Sequence, residues 1–186
     1  DGIYSLTNWH PILSIYDEKT KKWDENPYHP IGESNYSEVA DYNVKLTVPH
    51  KMVVAPTGTI IEEKENEEDK TLTIKAEKVR DFVIIMSEKY KVKTKEVDGI
   101  KISNYYLNDS KAANMLLNEV GKTVKFMNKT VGKYAYDELR IVETFLGGGA
   151  MEYPQVIQMG GYYLEDNINL NERVPFLIEA AVHETI

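Results

Sequence analysis

Two stretches of the sequence contain residue types that could do chemistry together. Residues 147–154 read Gly-Gly-Gly-Ala-Met-Glu-Tyr-Pro, so three glycines come shortly before the carboxylate of Glu152. Near the end of the chain, His183 and Glu184 are adjacent. On a helix, His183 and a residue four positions later would project from one face, where two imidazoles can bind one zinc ion. Glu184 would lie beside that ion and could accept a proton from a metal-activated water.

The glycine run determines what can lie beside Glu152. Glycines after an extended segment let the backbone approach a ligand closely, because no Cβ is in the way. A carboxylate held there could bind a free α-ammonium group through a charge-assisted hydrogen bond. Two plainer interpretations remain open: a bulged strand end with a solvated Glu152, and an ordinary helix end at His183 and Glu184. No Gly-Lys-Ser/Thr or G-x-G-x-x-G pattern is present, so a phosphate loop is not indicated.

Other candidate metal ligands are scattered along the chain. The acidic run 62–69 lacks the alternating carboxylates and central glycine of an EF-hand loop, and predicts a solvated hairpin tip. His10, His29 and His50 stand near prolines or turns, at no metal-ligand spacing. The chain has no cysteine, which excludes disulfides and thiolate ligands and leaves the redox compartment undetermined.

The composition excludes several classes of partner. Thirty acidic against 22 basic residues give a net charge of −8, without a basic cluster in the sequence, so nucleic acid is not an expected partner. No run of 18 apolar residues occurs, so we expect no membrane-spanning segment. The 186 residues, 42% of them hydrophobic, are enough for one large domain or two small ones. Oligomeric state is not indicated.

The first half of the sequence has the pattern of β structure. Residues 41–48 alternate apolar and polar side chains, which predicts a half-buried strand that ends at Pro49. Residues 83–86 are continuously apolar, as in a strand buried on both faces. Short strands joined by turns predict an antiparallel sandwich or layered sheet.

The pattern changes near residue 98. Residues 100–106 alternate as a strand, and Asp109 lies among capping residues ahead of an amphipathic helix that we expect to stop at Gly132. Residues 139–145 predict a strand that leads into the glycine run, and 156–159 continue extended. Residues 171–186 predict a second helix, with Pro175 in or near its first turn. The whole order predicts an α+β fold with two domains, 1–98 and 99–186, the second incomplete.

At these residues the chain resembles the aminopeptidase N-like family of zinc metallopeptidases, the gluzincin aminopeptidases. The exopeptidase motif Gly-x-Met-Glu-Asn is matched by residues 149–152, with Tyr153 in place of Asn. The His-Glu-x-x-His helix is matched at His183 and Glu184, and its second histidine would fall at position 187. Residues 8–11 and 41–49 are similar to late strands of the family's N-terminal β domain.

The resemblance implies a fold and a role for each matched residue. Residues 1–98 would end an antiparallel β-sandwich-like N-terminal domain, and 99–186 would begin a thermolysin-like α/β catalytic domain. An antiparallel edge strand would hold Glu152 above the zinc helix. His183 would bind zinc, Glu184 would be the general base and Glu152 would bind the substrate amine. The site residues implied beside the peptide are Gly149 and Ala150 through their backbone, and Met151 and Tyr153 through an apolar or aromatic lining.

The function that this resemblance implies is removal of N-terminal residues from peptide substrates by a zinc-dependent aminopeptidase. We expect the chain to be a piece of that enzyme, cut within the zinc helix, which binds zinc poorly and is inactive alone. Tyr153 departs from the usual motif, so a zinc endopeptidase without strict exopeptidase specificity is an alternative. A non-catalytic aminopeptidase-like binding or scaffold module is another.

Overall fold

Thirteen strands and two helices are formed by the residues that the computed structural model of the chain describes, which are 2–25, 27, 31, 37–147, 149–162 and 170–186. His29 lies outside these residues. In chain order the elements are β1 (Ile3–Leu6), β2 (Tyr16–Asp17), β3 (Lys22–Trp23), β4 (Ala40–Pro49), β5 (Val53–Pro56), β6 (Thr59–Glu65), β7 (Asp69–Val79), β8 (Ile84–Ser87), β9 (Lys91–Val97), β10 (Ile100–Tyr106), α1 (Ser110–Thr130), β11 (Glu138–Glu143), β12 (Ala150–Tyr153), β13 (Val156–Met159) and α2 (Leu170–His183).

The first region, up to β8, contains two three-stranded antiparallel sheets and the small hairpin β2–β3. The sheet orders are β4-β7-β6 and β1-β8-β5. The predicted strand at 41–48 is confirmed as β4, whose alternating apolar side chains pack into a core with Leu72 and Ile74 of β7. The predicted buried strand at 83–86 corresponds to β8, which begins one residue later. Period-two alternation therefore located β4, and a continuous apolar run located β8.

The second region is built on a five-stranded mixed sheet of order β12-β13-β11-β10-β9. The three central strands run parallel, whereas β9 and β12 are antiparallel edge strands. The predicted boundary at residue 98 falls in the hairpin turn that joins β9 to β10. Thus β9, which the sequence places in the first region, hydrogen-bonds within the second region's sheet.

Helix α1 covers one face of this sheet. Its N-cap is Asp109, whose carboxylate accepts a hydrogen bond from the Ala112 amide at 2.9 Å. It ends at Thr130, where the amides of Val131 and Gly132 both donate to the Met127 carbonyl. An apolar stripe faces the sheet, formed by Ala112, Ala113, Leu116, Leu117, Val120, Gly121 and Val124.

Helix α2 lies on the same face and differs from its prediction at both ends. It begins one residue earlier, at Leu170, so Pro175 is its sixth residue and not part of the first turn. It ends at His183, three residues before the predicted end. The Thr185 amide donates to the carbonyl three residues back, at Val182, so the last turn is tighter than an α-helix. No helix in the described part of the chain is long and apolar enough to cross a membrane.

The two regions share a buried apolar cluster. It combines Ala55, Val83, Ile85 and Tyr90 with Val142 of β11 and Val156 of β13. The five-stranded sheet therefore packs its helix-free face against strands of the first region and its other face against α1 and α2. The predicted α+β class is confirmed.

Candidate functional site

Glu152 lies on the edge strand β12, which pairs antiparallel with β13. Glu152 is opposite Ile157, and Ala150, two residues earlier, packs against the core under the helices. Because side chains alternate along a strand, Ala150 and Glu152 both face the helical side of the sheet. No described strand pairs with the other edge of β12.

His183 and Glu184 lie at the end of α2, close to Glu152. His183 is the last helical residue, and the Glu184 amide still donates to the Ala180 carbonyl at 2.9 Å. The carboxyl groups of Glu184 and Glu152 lie within hydrogen-bonding reach of each other, and His183 is near enough for its charge to act on Glu152. The structure thus brings together three residues that the sequence separates by up to 32 positions (184 − 152).

The two glutamates are placed in different electrostatic environments. Burial, followed by the hydrogen bond and the negative charge of Glu152, raises the pKa of Glu184 to about 7. The hydrogen bond with Glu184, a bond from its own backbone amide and the charge of His183 lower the pKa of Glu152. The Glu184 Oε2 atom is buried without a hydrogen-bond donor among the described residues. A proton on Glu184 would let the two carboxyls share a hydrogen bond, with Glu152 as the ionised partner.

His183 and Glu184 supply only part of a zinc site. In the described ranges, no group of three or more His, Cys, Asp or Glu side chains could hold a metal ion. A catalytic zinc ion ordinarily has three protein ligands and one open position. His183 offers one imidazole, and the unpartnered Oε2 atom of Glu184 offers an acceptor next to it. The residues present therefore fit one zinc ligand and a neighbouring base, and do not complete the coordination sphere.

Open space borders Gly147 and Gly149. A Cβ built on Gly149 would meet no atom of the described residues within 4 Å, and the same holds for Gly147. The Gly149 carbonyl accepts a hydrogen bond from the Gly160 amide at 2.9 Å, which ties the start of β12 to the end of β13. At Gly160 a Cβ would lie 2.8 Å from the Leu146 carbonyl oxygen. Close packing thus requires a glycine at position 160, which no motif in the sequence marks.

Met151 and Tyr153 face the opposite side of the sheet from Glu152. Met151 is opposite Gln158 in the β12–β13 pair. Tyr153 packs against the cluster shared with the first region, and its hydroxyl is near enough to Thr7 for that residue to lower the pKa that burial raises. The predicted aromatic lining is therefore not brought to the carboxylate pair by Tyr153, because strand alternation turns its side chain away.

Glu143, at the end of β11, is a buried carboxylate that was not among the predicted site residues. Its Oε2 accepts a hydrogen bond from the Leu107 amide at 2.8 Å and its Oε1 one from the Tyr162 amide at 3.1 Å. Burial raises its pKa. The Tyr162 carbonyl accepts a hydrogen bond from Arg173 of α2 at 3.1 Å. Glu143 therefore joins the ends of β10 and β13 at the point where α2 docks; its only sequence signal was a charged residue inside an apolar strand.

The comparisons with known proteins bear on the fold. No protein-family model matches the sequence, and no curated protein is similar to it by sequence. Among solved structures, the chain is similar to Legionella pneumophila aminopeptidase A in complex with aspartic acid, with a TM-score of 0.68 and 14% sequence identity. The match covers 80% of this chain and 19% of the aminopeptidase chain. The arrangement of strands and helices described above therefore also occurs in part of an aminopeptidase.

Proposed function

We propose that this chain is part of a zinc-dependent aminopeptidase, which removes N-terminal residues from peptides. The observation that carries the proposal is the meeting of Glu152 on β12 with His183 and Glu184 at the end of α2. The similarity to part of an aminopeptidase fold supports the peptidase class. Because the chain spans 19% of that protein, the proposed activity belongs to the whole protein.

Glu152 is the residue that would select a free N-terminus. Its lowered pKa keeps it ionised at neutral pH, so it can accept a charge-assisted hydrogen bond from a substrate α-ammonium group. The open space beside Gly149 leaves room for the substrate backbone, which could bond to the backbone groups of Ala150, because the Gly149 carbonyl already accepts from the Gly160 amide. Holding the first residue in this way would place the first peptide bond towards His183 and Glu184.

Glu184 would move the proton during hydrolysis. A carboxyl group with a pKa of about 7 is matched to general acid–base work near neutral pH. It could accept a proton from the attacking water and return it to the departing amine. His183 would hold the zinc ion, and a bound zinc ion lowers the pKa of water and polarises a peptide carbonyl. We propose that the remaining zinc ligands lie outside the described residues, in the manner of a thermolysin-like domain.

A second candidate function is favoured by one observation, the position of Tyr153. It replaces the Asn of the resembled motif, and its side chain points into the other region and not towards Glu152. If Glu152 does not bind the substrate α-ammonium group, His183 and Glu184 would belong to a zinc endopeptidase.

The test uses the complete protein with zinc and a pair of peptides that differ only in N-terminal acetylation. The wild type should cleave the free peptide far faster, and Glu152→Gln should lose most of that preference. Glu184→Gln should lower kcat by about 10²–10⁴-fold on the free peptide. Glu96→Gln, on the exposed strand β9, is the matched control and should behave as the wild type.

Each result separates the candidates. Equal cleavage of both peptides by the wild type would support the endopeptidase. Full activity in Glu184→Gln would contradict the assigned base. Peptide binding without turnover in the complete, zinc-loaded protein would indicate a non-catalytic module.

A further inference from the structure

The turn between β12 and β13 has a backbone conformation that its sequence does not favour. Tyr153 is opposite Val156, so Pro154 and Gln155 form a two-residue hairpin turn. Gln155 has φ of +64°, which side chains other than glycine rarely adopt. Proline followed by a positive φ corresponds to a type II turn, whereas two-residue hairpins prefer types I′ and II′. Another interaction must therefore hold this turn in place.

The Gln155 side chain supplies that interaction. Gln155 is only 5% exposed. Its Oε1 accepts a hydrogen bond from the Gly58 amide at 2.9 Å, across 97 positions of sequence, and its Nε2 donates to the Glu138 carbonyl at 3.4 Å. Its own carbonyl accepts from the Arg140 amide at 2.8 Å. One residue thus bonds the hairpin both to β11 and to the first region.

Gly58, which donates this hydrogen bond from the first region, has little freedom to move. Gly58 has φ of +84°, and a Cβ built there would lie 2.3 Å from the Lys75 carbonyl oxygen. Its amide is therefore set by a tight turn packed on the backbone of β7. The hydrogen bond from Gly58 to Gln155 therefore holds the hairpin at a fixed position relative to the first region.

We infer that Gln155 is a positioning residue, which sets where β12 holds Glu152 relative to His183 and Glu184. Strand β12 hydrogen-bonds to β13 alone among the described strands, and Glu152 lies three residues before Gln155. The placement of the Glu152 carboxylate therefore depends on the turn. The functional consequence rests on the proposed role of Glu152 in binding an α-ammonium group.

The test compares Gln155→Gly and Gln155→Ala with the wild type in the 186-residue chain. Glycine accepts a positive φ without strain, so Gln155→Gly removes the side-chain bonds and keeps the turn. Amide hydrogen exchange in β12 should become about tenfold faster in both variants, while exchange in the β9–β10 hairpin stays unchanged. Lys21→Gly makes the same change at another residue of positive φ, 57° in the exposed β2–β3 turn, and should change neither set of amides.

A second experiment tests ligand binding. It measures the binding of leucinamide and of N-acetyl-leucinamide from NMR chemical-shift changes at Glu152. The wild type should bind only the free amine, and both Gln155 variants should bind it about tenfold more weakly, since a small misplacement of a binding group has a large effect. The weakening should be similar in the two variants although Gln155→Gly lowers the thermal midpoint less than Gln155→Ala, because glycine accepts the positive φ. That combination would not arise from a merely structural role.

The outcomes separate this inference from the proposed function. Unchanged β12 exchange in Gln155→Gly would overturn the inference, whatever the ligand result. Faster β12 exchange together with a wild type that does not distinguish the two amides would support the positioning role and reject amine binding by Glu152. If both variants bind leucinamide as tightly as the wild type and still reject N-acetyl-leucinamide, Gln155 has no effect on the site and the inference is wrong.

Discussion

Glu152 and Glu184 are the same residue type and differ only in surroundings. Glu184 is pushed towards the neutral form by burial and by its neighbour, and Glu152 is held ionised by the hydrogen bond with Glu184, its own amide and His183. Two carboxyls with separated pKa values can take different tasks at one pH, one as a fixed anion and one as a proton carrier.

This pair predicts a dependence of stability on pH in the chain without added metal. The folded-state pKa of Glu184 is raised, so its contribution to the free energy of unfolding is full below the unfolded pKa of about 4.3 and is lost as the pH rises through about 7. The pKa of Glu152 is lowered, so its contribution to the free energy of unfolding has the opposite pH dependence and is lost only as the pH falls through that lowered pKa. Urea unfolding between pH 4 and 8 should therefore show a decline that is smaller in Glu184→Gln, while the part due to Glu143, whose pKa is also raised by burial, remains.

A carboxyl ¹³C NMR titration provides the direct check on the pair. In Glu152→Gln the pKa of Glu184 should fall but remain above its ordinary value, because burial, the larger cause, is unchanged. Glu96→Gln should leave it where it is. An unaltered Glu184 titration in Glu152→Gln would contradict the contact between the two side chains.

Among the elements, β12 and α2 differ in how well the sequence located them. An edge strand holding Glu152 was expected from the family resemblance, and β12 is such a strand, but alternation along it turns Met151 and Tyr153 away from Glu152. The end of α2 was less predictable, because no residue after His183 is a helix-stopping glycine or proline. The tight final turn through Val182 and Thr185 is a feature of the folded chain that periodicity does not reveal.

Helix α1 offers a test of one local rule. Asp109→Ala should lower the free energy of unfolding by about 1 kcal/mol, because the Ala112 amide loses its acceptor. Asp109→Asn, which retains an acceptor oxygen, should cost much less. The measurement is urea unfolding at neutral pH, and equal losses in the two variants would show that the charge of Asp109 matters and not its cap.

For the molecule as a whole, the two regions share buried residues and behave as one packing unit. Ala55, Val83 and Ile85 of the first region contact Val142 and Val156 of the second in one apolar cluster. Separation would expose both sides of that cluster to water, which opposes independent unfolding.

Cooperativity follows from this shared cluster and can be measured with intrinsic probes. Trp9 and Trp23 both lie in the first region, whereas both helices lie in the second. Fluorescence and far-UV circular dichroism should therefore report coincident urea transitions. Val156→Ala should shift both together, by on the order of 2 kcal/mol, while Val131→Ala, at a 76% exposed site, should shift neither. Two separate midpoints would show that the regions unfold independently.

The incomplete ligand set leads to a prediction about the isolated chain. With one imidazole beside the carboxylate pair and no three-ligand group in the described residues, the 186-residue chain should bind zinc weakly. It should not hydrolyse an aminoacyl-anilide when zinc is added. Turnover that disappears in Glu184→Gln would contradict this and place a complete site within the chain.

Local patterns were sufficient for much of the fold and for the choice of site residues. Alternation located β4 and β10, the capping residue Asp109 located the start of α1, and residue chemistry singled out Glu152, His183 and Glu184. These features depend on neighbours a few positions away, so a sequence window contains the information. The element ends and the assignment of β9 were less certain, because they depend on which strand pairs with which.

Long-range packing decided the rest. The contact between Glu152 and Glu184 arises because β12 and the end of α2 meet on one face of the sheet, and no spacing in the chain specifies a pKa of about 7. Tyr153 was predicted to line the site beside Glu152, but it packs against the cluster shared with the first region. No pattern in the sequence pointed to Gln155, whose hydrogen-bond partner Gly58 lies 97 positions away. Burial and hydrogen-bond partners belong to pairs of residues far apart in sequence, and they come into existence only when the sheets pack.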